Sequence, residues 1–279
     1  MGNWFINSMV GLLAILLLSS VTAAGQTTQP SGAAVPKAAA FEPHDLSGYW
    51  SRMSRVQTFS NVNPGGPGVG VSTAEPAFTG EGKARFDLNR PGFGPRATTN
   101  LNDPTGSCDP LGMPRILIAE VGAPYQTMQI VQLPGRMLQF FEWHHDWREV
   151  WTDGRQLTKL EDLEPKWNGY SVGKWEGATF VVDSIGFDER TWLDRFGYPH
   201  SDQMRLEERY RRLDADTLEL VMTVTDTKIY TRPWVSDTKI FKLNREKATS
   251  PDPQVYCVPS EENEFNRLIR DGGAAKGLP

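Results

Sequence analysis

Short runs that alternate apolar and polar residues fill most of the chain beyond residue 125, and they constrain its fold more than any other feature. In residues 147–152, for example, two tryptophans and a glutamate alternate with an arginine and a valine, which is typical of a half-buried β-strand. Pro, Gly and Asp between the runs indicate tight turns. The predicted strands are residues 45–50, 126–133, 136–143, 147–152, 169–175, 178–185, 204–213, 217–225 and 235–243.

Pairing these runs through hairpins predicts an all-β fold, an antiparallel meander that closes into a lipocalin-like barrel of about eight or nine strands. Closure hides the polar strand edges, and a barrel of this size has room for one small ligand. A β-sandwich is the alternative. Residues 60–105, rich in Gly, Pro and Asn, predict a long irregular excursion before the meander. Short helices are predicted at residues 79–86 and 261–270.

The N-terminal residues 1–25 have the pattern of a signal peptide, because the apolar stretch 9–18 is too short to span a bilayer comfortably and small residues follow it. A retained membrane anchor is the alternative. Residues 26–41 have linker composition, residues 42–270 predict a single barrel-like domain, and residues 271–279 predict a flexible tail. The expected location is the periplasm or the medium.

The composition excludes several classes of partner. Lys+Arg 29 against Asp+Glu 34 gives a net charge of −5, which argues against an electrostatic nucleic-acid binder. The sequence has no phosphate loop, dinucleotide fingerprint, HExxH or CxxC motif, so we expect no cofactor and no metal. The expected partner is a small-molecule ligand, with no nucleic acid and, after signal cleavage, no membrane; the sequence leaves the oligomeric state open.

The chain has only two cysteines, Cys108 and Cys257. In an oxidising compartment two lone cysteines often pair, so a structural disulfide is expected. The alternative, a nucleophilic thiol, needs a partner base and an electropositive setting, and the residues adjacent to either cysteine supply neither.

The longest insertion between the later strands, residues 186–202, concentrates the chemistry of a candidate site. His200 is the candidate general acid or base, because its ordinary pKa lies near neutrality. Asp194 is predicted to orient it, and Arg190 or Arg115 to hold an anionic group. The alternative is a folded surface loop in which His200 caps a backbone group. Further predicted ligand-binding residues are Trp192, Tyr198, Tyr170, Trp175, Glu142 and Glu207.

Two of these predictions depend on strand geometry. Glu142 precedes the adjacent residues His144 and His145, whose side chains point to opposite faces of a strand, so a shared metal there is disfavoured. Glu207 is predicted either on an outer ladder of ion pairs or inside the barrel, beneath His200. The eight tryptophans beyond residue 25 fit a large-residue core or an aromatic-lined cavity, with the core as the default.

Several strings together resemble those of a large group of exported bacterial proteins to which no reaction is assigned. They include Asp45-Leu46-Ser47-Gly48-Tyr49-Trp50, Cys108-Asp109-Pro110-Leu111-Gly112-Met113-Pro114-Arg115, Asp153-Gly154-Arg155, Trp167-Asn168-Gly169-Tyr170-Ser171-Val172-Gly173-Lys174-Trp175-Glu176-Gly177, Thr191-Trp192-Leu193-Asp194, Pro199-His200-Ser201 and Glu208-Arg209-Tyr210. The matches run from about residue 45 to 245 and again at Cys257 with Glu262-Asn263. The resemblance supports the Cys108–Cys257 pairing. It also shows a departure, since related sequences tend to carry Asp where this chain has Ala178.

These observations predict an exported protein that handles a small molecule in a cavity capped by residues 186–202. One hypothesis is a cofactor-free hydrolase, lyase or isomerase that uses a His/Asp pair. The alternatives are a non-catalytic carrier of an apolar or carbohydrate-like ligand and an envelope scaffold protein. The sequence does not decide whether the protein is an enzyme.

Overall fold

The computed structural model describes residues 40–53, 58–60, 76–92, 102–118, 127–246, 257–265 and 267–268. The predicted signal peptide and tail lie outside these residues, as does the predicted linker apart from residues 40 and 41. The predicted excursion is described only in part, at residues 60, 76–92 and 102–105.

Ten strands and three α-helices follow one another along the described chain. The strands are β1 Gly48–Arg52, β2 Thr127–Leu133, β3 Arg136–Phe141, β4 Trp147–Trp151, β5 Tyr170–Glu176, β6 Thr179–Ile185, β7 Arg205–Asp214, β8 Thr217–Thr225, β9 Trp234–Val235 and β10 Lys239–Leu243. The helices are α1 Gly80–Leu88, α2 Arg115–Ile118 and α3 Pro259–Phe265, with short 3₁₀ turns at Pro104–Ser107, Trp143–His145 and Leu160–Asp162. The predicted last strand is therefore divided between β9 and β10.

The strands form a closed barrel, which confirms the predicted all-β fold. Each strand from β1 to β8 pairs with the next, and β10 pairs with both β1 and β8, so that nine strands close the wall and β9 extends it beside β8. One pair departs from the predicted antiparallel meander, because β4 and β5 run parallel. The chain returns between these two strands through residues 152–169, which we call the crossover.

The two ends of the barrel differ. The hairpin end carries the tight turns 134–135, 177–178 and 215–216, whereas the loop end carries residues 142–146 and the long connections 186–204 and 226–233. Large apolar side chains from the strands point inward and are buried. They include Trp50, Ile130, Met137, Phe180, Val182, Leu206, Leu220, Met222 and Phe241.

A buried ion pair crosses this interior. Arg148 of β4 donates to both carboxylate oxygens of Glu208 on β7, at 2.8 and 2.5 Å, and to Gln139 Oε1 at 2.5 Å. The Tyr210 hydroxyl donates to Glu208 at 2.6 Å. Burial alone would lower the pKa of Arg148, but the Glu208 carboxylate outweighs it and raises that pKa. The network links β3, β4 and β7 and satisfies both charges.

The insertion between β6 and β7 packs over the loop end. Asp226 accepts from the backbone N and the hydroxyl of Ser201, at 2.6 and 2.9 Å, and the Tyr230 hydroxyl donates to the Pro199 carbonyl at 2.7 Å. Tyr198 stacks on Phe86 of α1 with ring centroids 4.7 Å apart. The insertion is therefore a packed cap on the barrel.

The predicted disulfide is confirmed, so neither cysteine is a free nucleophilic thiol. Cys108 and Cys257 are bonded, with their Cα atoms 5.4 Å apart. Cys108 follows the 3₁₀ turn Pro104–Ser107, and Cys257 precedes α3. The bond therefore holds the region of α3 close to this turn.

We expect the Cys108→Ser/Cys257→Ser double variant to lose up to about 5 kcal/mol of unfolding free energy by the chain-entropy model, because the bond joins residues 149 positions apart. Urea unfolding of the wild type with and without a reductant measures the loss. The reductant should leave the double variant unchanged. An unaltered wild-type midpoint on reduction would contradict the prediction.

A second prediction concerns the buried ion pair. Glu208→Gln should lower the free energy of unfolding by about 3–5 kcal/mol, since it leaves the Arg148 charge buried without its counterion. Glu207→Gln is the matched control: the neighbouring carboxylate is 41% exposed and pairs with Arg209, so its loss should cost about 1 kcal/mol or less. Equal losses in the two variants would refute the prediction.

Candidate functional site

β4 reverses the usual arrangement of a barrel strand. Its arginine points into the barrel and is 4% exposed, whereas Trp147 points outward and is 54% exposed. Glu149 and Trp151 share the outer face with Trp147, because side chains alternate along a strand. Exposing a large aromatic ring while burying a charge runs against the ordinary partition of residues, so this strand is a candidate for function.

A cleft of about 700 Å³ lies against this outer face. The crossover forms its far wall, and the start of β5 forms its end. Four aromatic residues line the cleft together with polar and charged side chains. They are Trp147, Trp151, Trp167 and Tyr170, with Glu149, Arg155, Lys166, Asn168, Asp188 and Arg190 among the others.

The cleft exists because the barrel wall parts between β4 and β5. Their parallel pairing is confined to Val150–Ser171 and Trp151–Val172, so the strands separate toward the loop end. Asn168 Nδ2 spans the gap, donating to Asp146 Oδ2 at 2.9 Å. Its Oδ1 is buried and has no hydrogen-bond partner among the described residues, so an acceptor of the cleft remains unsatisfied.

Gly169 allows the crossover to turn into β5 at this point. Its φ is +64°, a left-handed conformation that favours glycine. A Cβ there would also lie 2.7 Å from the Phe187 ring and 2.8 Å from the Ile185 carbonyl oxygen. The glycine therefore places Asn168 and Tyr170 on either side of a sharp bend that borders the cleft.

Three of the four rings are stacked with a cation. Arg155 lies 3.6 Å from the Trp151 ring centroid. The Lys166 ammonium lies 4.1 Å from the Tyr170 centroid, and the Arg190 guanidinium 4.3 Å from the Trp167 centroid. Such contacts hold both partners in place and restrict the rotamers of the rings. The cleft is thus a preorganised aromatic surface rather than a set of mobile side chains.

The charges around the cleft are largely compensated within the protein. The pairs are Arg155 with Asp153 at 2.7 Å, Arg190 with Asp188 at 2.7 Å, and Arg136 with Glu149 at 2.9 Å. Hydrogen bonds from Arg190 hold the pKa of Asp188 below its ordinary value. The cleft therefore offers polar partners without a strong net charge.

His200 is completely buried within the cap. Its Nδ1 lies 3.0 Å from the Ser201 carbonyl oxygen, which can only accept, so Nδ1 carries the proton. Its Nε2 then accepts from the Thr191 hydroxyl at 2.7 Å. Burial lowers the pKa of the imidazole, which is therefore neutral with both nitrogens engaged.

Asp194 lies in the same cap but does not orient His200. Its carboxylate accepts from the backbone N of Phe59 at 2.9 Å and from that of Phe196 at 2.8 Å. Burial raises its pKa to about 6, although these two hydrogen bonds act in the opposite direction. The predicted His/Asp pair is not formed, because His200 bonds Thr191 and Ser201 while Asp194 bonds the backbone of Phe59 and Phe196.

A second, shallower cleft of about 510 Å³ brings together three predicted residues, Arg190, Trp192 and His200. His200 borders this cleft but has no solvent-exposed surface, and Trp192 is 4% exposed. Arg190 borders both clefts. Of the predicted residues, Tyr170 and Arg190 line the larger cleft.

The other predicted residues occupy structural positions. Arg115 is buried and donates to both oxygens of Asp103, at 2.8 and 2.6 Å. Burial would raise the pKa of Asp103, but Arg115 outweighs it and holds that pKa below its ordinary value. Tyr198 packs in the aromatic core, Trp175 packs against Phe180 toward the hairpin end, and Glu142 is buried beside the 3₁₀ turn.

The interior position predicted for Glu207 is wrong. Glu207 faces outward with Arg209, while Glu208 occupies the interior. The reason is that Leu206, Glu208 and Tyr210 share the inward face, where Arg148 compensates the charge. The outer ladder of ion pairs was the correct alternative.

The aromatic residues that build the cleft were missed as a set. The sequence alone assigns Trp147, Trp151 and Trp167 to the core, which is the default position for tryptophan. The alternation along β4 could have identified Trp147 and Trp151 as a pair, because residues that alternate with Arg148 and Val150 share one face of the strand. The alternation alone does not show which face points outside the barrel.

Within the described chain, no three His, Cys, Asp or Glu side chains are placed to hold a metal ion. No described helix has the length and apolarity needed to cross a bilayer.

Comparisons with family models, with curated protein sequences and with solved structures found no match to this chain.

The buried carboxylate predicts a pH dependence of stability. The pKa of Asp194 rises from its ordinary 3.8 to about 6 on folding, so the folded state binds this proton more tightly. The free energy of unfolding that Asp194 contributes should therefore increase as pH falls from about 7 to about 4, by up to about 3 kcal/mol. His200, buried in its neutral form, opposes this trend below its ordinary pKa.

Comparison with Asp194→Asn isolates the carboxylate from the histidine. The stability of the wild type minus that of the variant, from urea unfolding at half-unit pH steps, should rise toward acid pH. Parallel curves for the two proteins would show that Asp194 does not titrate in this window.

Proposed function

We propose that this protein binds a neutral, carbohydrate-like molecule in the cleft outside β4. The observation that carries the proposal is the outward face of β4, where Trp147 and Trp151 flank Glu149 within an open cleft. Flat aromatic rings offer an apolar surface to the C–H face of a sugar, while nearby polar groups bond its hydroxyls. Specific ligand sites commonly combine such apolar surfaces with a few fixed polar groups.

Charge compensation favours a neutral ligand over an ionic one. A site for an anion needs cations whose charges are not already neutralised by the protein. Here Arg155 and Arg190 each pair with an aspartate and stack on a ring. Glu149, Asn168 and Lys166 remain as hydrogen-bonding side chains beside the aromatic surface.

Two of the other hypotheses, the carrier of an apolar ligand and the enzyme, have less support. A carrier of an apolar ligand would use a mainly apolar, enclosed cavity, whereas this cleft opens outward and mixes charged and aromatic groups. A hydrolase, lyase or isomerase built on His200 would need an exposed imidazole and a partner carboxylate. His200 is buried, and Asp194 bonds elsewhere. We therefore favour a binding protein over an enzyme.

We also propose that the protein acts in the periplasm or outside the cell. The Cys108–Cys257 disulfide supports an oxidising compartment, where such bonds persist. The N-terminal pattern of an apolar stretch followed by small residues points in the same direction.

The proposal predicts binding that depends on the tryptophans of the cleft. Isothermal titration of the purified, disulfide-bonded protein with a panel of glucose, mannose, xylose and N-acetylglucosamine oligosaccharides should detect at least one ligand. Trp151→Ala should weaken that binding about ten-fold or more, as truncation of a central aromatic anchor does. Phe265→Ala on α3, which is 49% exposed and is not among the residues that line the cleft, is the control and should bind as the wild type does.

Three outcomes would overturn the proposal. The first is no binding to any sugar of the panel at millimolar concentration. The second is conversion of a bound sugar that His200→Asn abolishes while binding persists, because this result would restore the enzyme hypothesis. The third is unchanged binding in Trp151→Ala, which would place the site outside the cleft.

A further inference from the structure

The aromatic surface of the cleft continues onto the open barrel wall. Phe140 of β3 lies directly across from Trp147 of β4 in the register of the sheet. The two ring centroids are 6.4 Å apart with an interplanar angle of 26°. Phe140 is 37% exposed and lies outside the cleft, so the apolar track extends beyond it.

The track is longer than one sugar ring. Trp147 and Trp151 lie four residues apart on one strand face, which corresponds to about 13 Å at the usual rise of a strand. Phe140 adds the width of one further strand, about 5 Å. Trp151 thus marks one end of the track and Phe140 the other, with Trp147 between them.

Charged groups accompany the rings along this track. Glu149 lies between the two tryptophans on the same face, and Arg136 bonds it from β3 at 2.9 Å. The Arg136–Glu149 pair has no net charge. Its exposed edge still offers guanidinium N–H donors and carboxylate acceptors to a ligand. The two tryptophans therefore flank groups that can bond a hydroxyl.

A second copy of the chain is a weaker candidate for this surface. Exposed Phe140 and Trp147 provide about 200 Å² of apolar area together, since a whole aromatic side chain buries about 150–250 Å². A stable protein interface buries about 800 Å² on each partner. The patch is too small for a dimer but matches a narrow chain that lies along the strand.

We propose that the ligand is an oligosaccharide of at least three units that lies along the outer face of β4, from Trp151 in the cleft to Phe140 on the wall. The inference rests on the proposed function and specifies its ligand as a chain. The terminal unit occupies the cleft beside Trp151, and the following units cross Trp147 and Phe140.

The experiment compares sugar lengths. Cello- and chito-oligosaccharides of one to six units are titrated into the disulfide-bonded protein by calorimetry. Affinity should rise at least ten-fold from one unit to four and then level off. Phe140→Ala should weaken binding of the tetrasaccharide about five-fold or more and leave the single sugar unchanged. Val235→Ala, an exposed apolar residue of β9, is the control and should alter neither.

The outcomes separate the two proposals. Equal affinity for one unit and for four, with sensitivity to Trp151→Ala retained, would overturn the extended track and keep the sugar site. No binding at any length would overturn the sugar site as well. Sedimentation that shows a dimer lost in Phe140→Ala would assign the exposed rings to self-association and refute the track.

Discussion

The buried ion pair between Arg148 and Glu208 determines how β4 sits in the barrel, and the cleft depends on it. Side chains alternate along a strand, so an inward Arg148 requires outward tryptophans at Trp147 and Trp151. A slip of one residue in register would place both tryptophans inside and leave Glu208 without its counterion. The same interaction that fills the interior therefore exposes the aromatic surface.

Side chains with catalytic chemistry serve structure at the loop end. His200 bonds a hydroxyl group of the cap, Asp194 bonds the backbone of Phe59 and so ties the cap to residues 58–60, and Asp226 bonds the cap to the loop after β8. Burial shifts the pKa of His200 downward and that of Asp194 upward, which resembles the tuning found in active sites. Here the shifts follow from desolvation within a packed loop, so a shifted pKa alone does not identify a catalytic centre.

The sequence predicted the strands and their closure well, because the period-two pattern and the turn residues are local signals. It did not predict the parallel pairing of β4 and β5, since strand direction there depends on the path of residues 152–169. The sequence also did not show which of Glu207 and Glu208 points into the barrel, because both faces of β7 carry charged residues. The inward face is the one whose carboxylate meets Arg148, and Arg148 lies sixty positions away in the chain. The cleft was not predicted either, because its aromatic rings come from β4 and from the region around the start of β5, and only the folded structure brings these segments together.

The parallel pair has a consequence for how such a protein changes over time. The crossover runs outside the wall and rejoins the sheet at β5, so its length and residues can vary without disturbing the hydrogen-bond ladder of the other strands. The crossover forms one wall of the cleft, while the opposite wall, β4, is held by the buried ion pair. Substitutions in the crossover that keep the bend at Gly169 can therefore change which ligand the cleft accepts without altering the barrel interior.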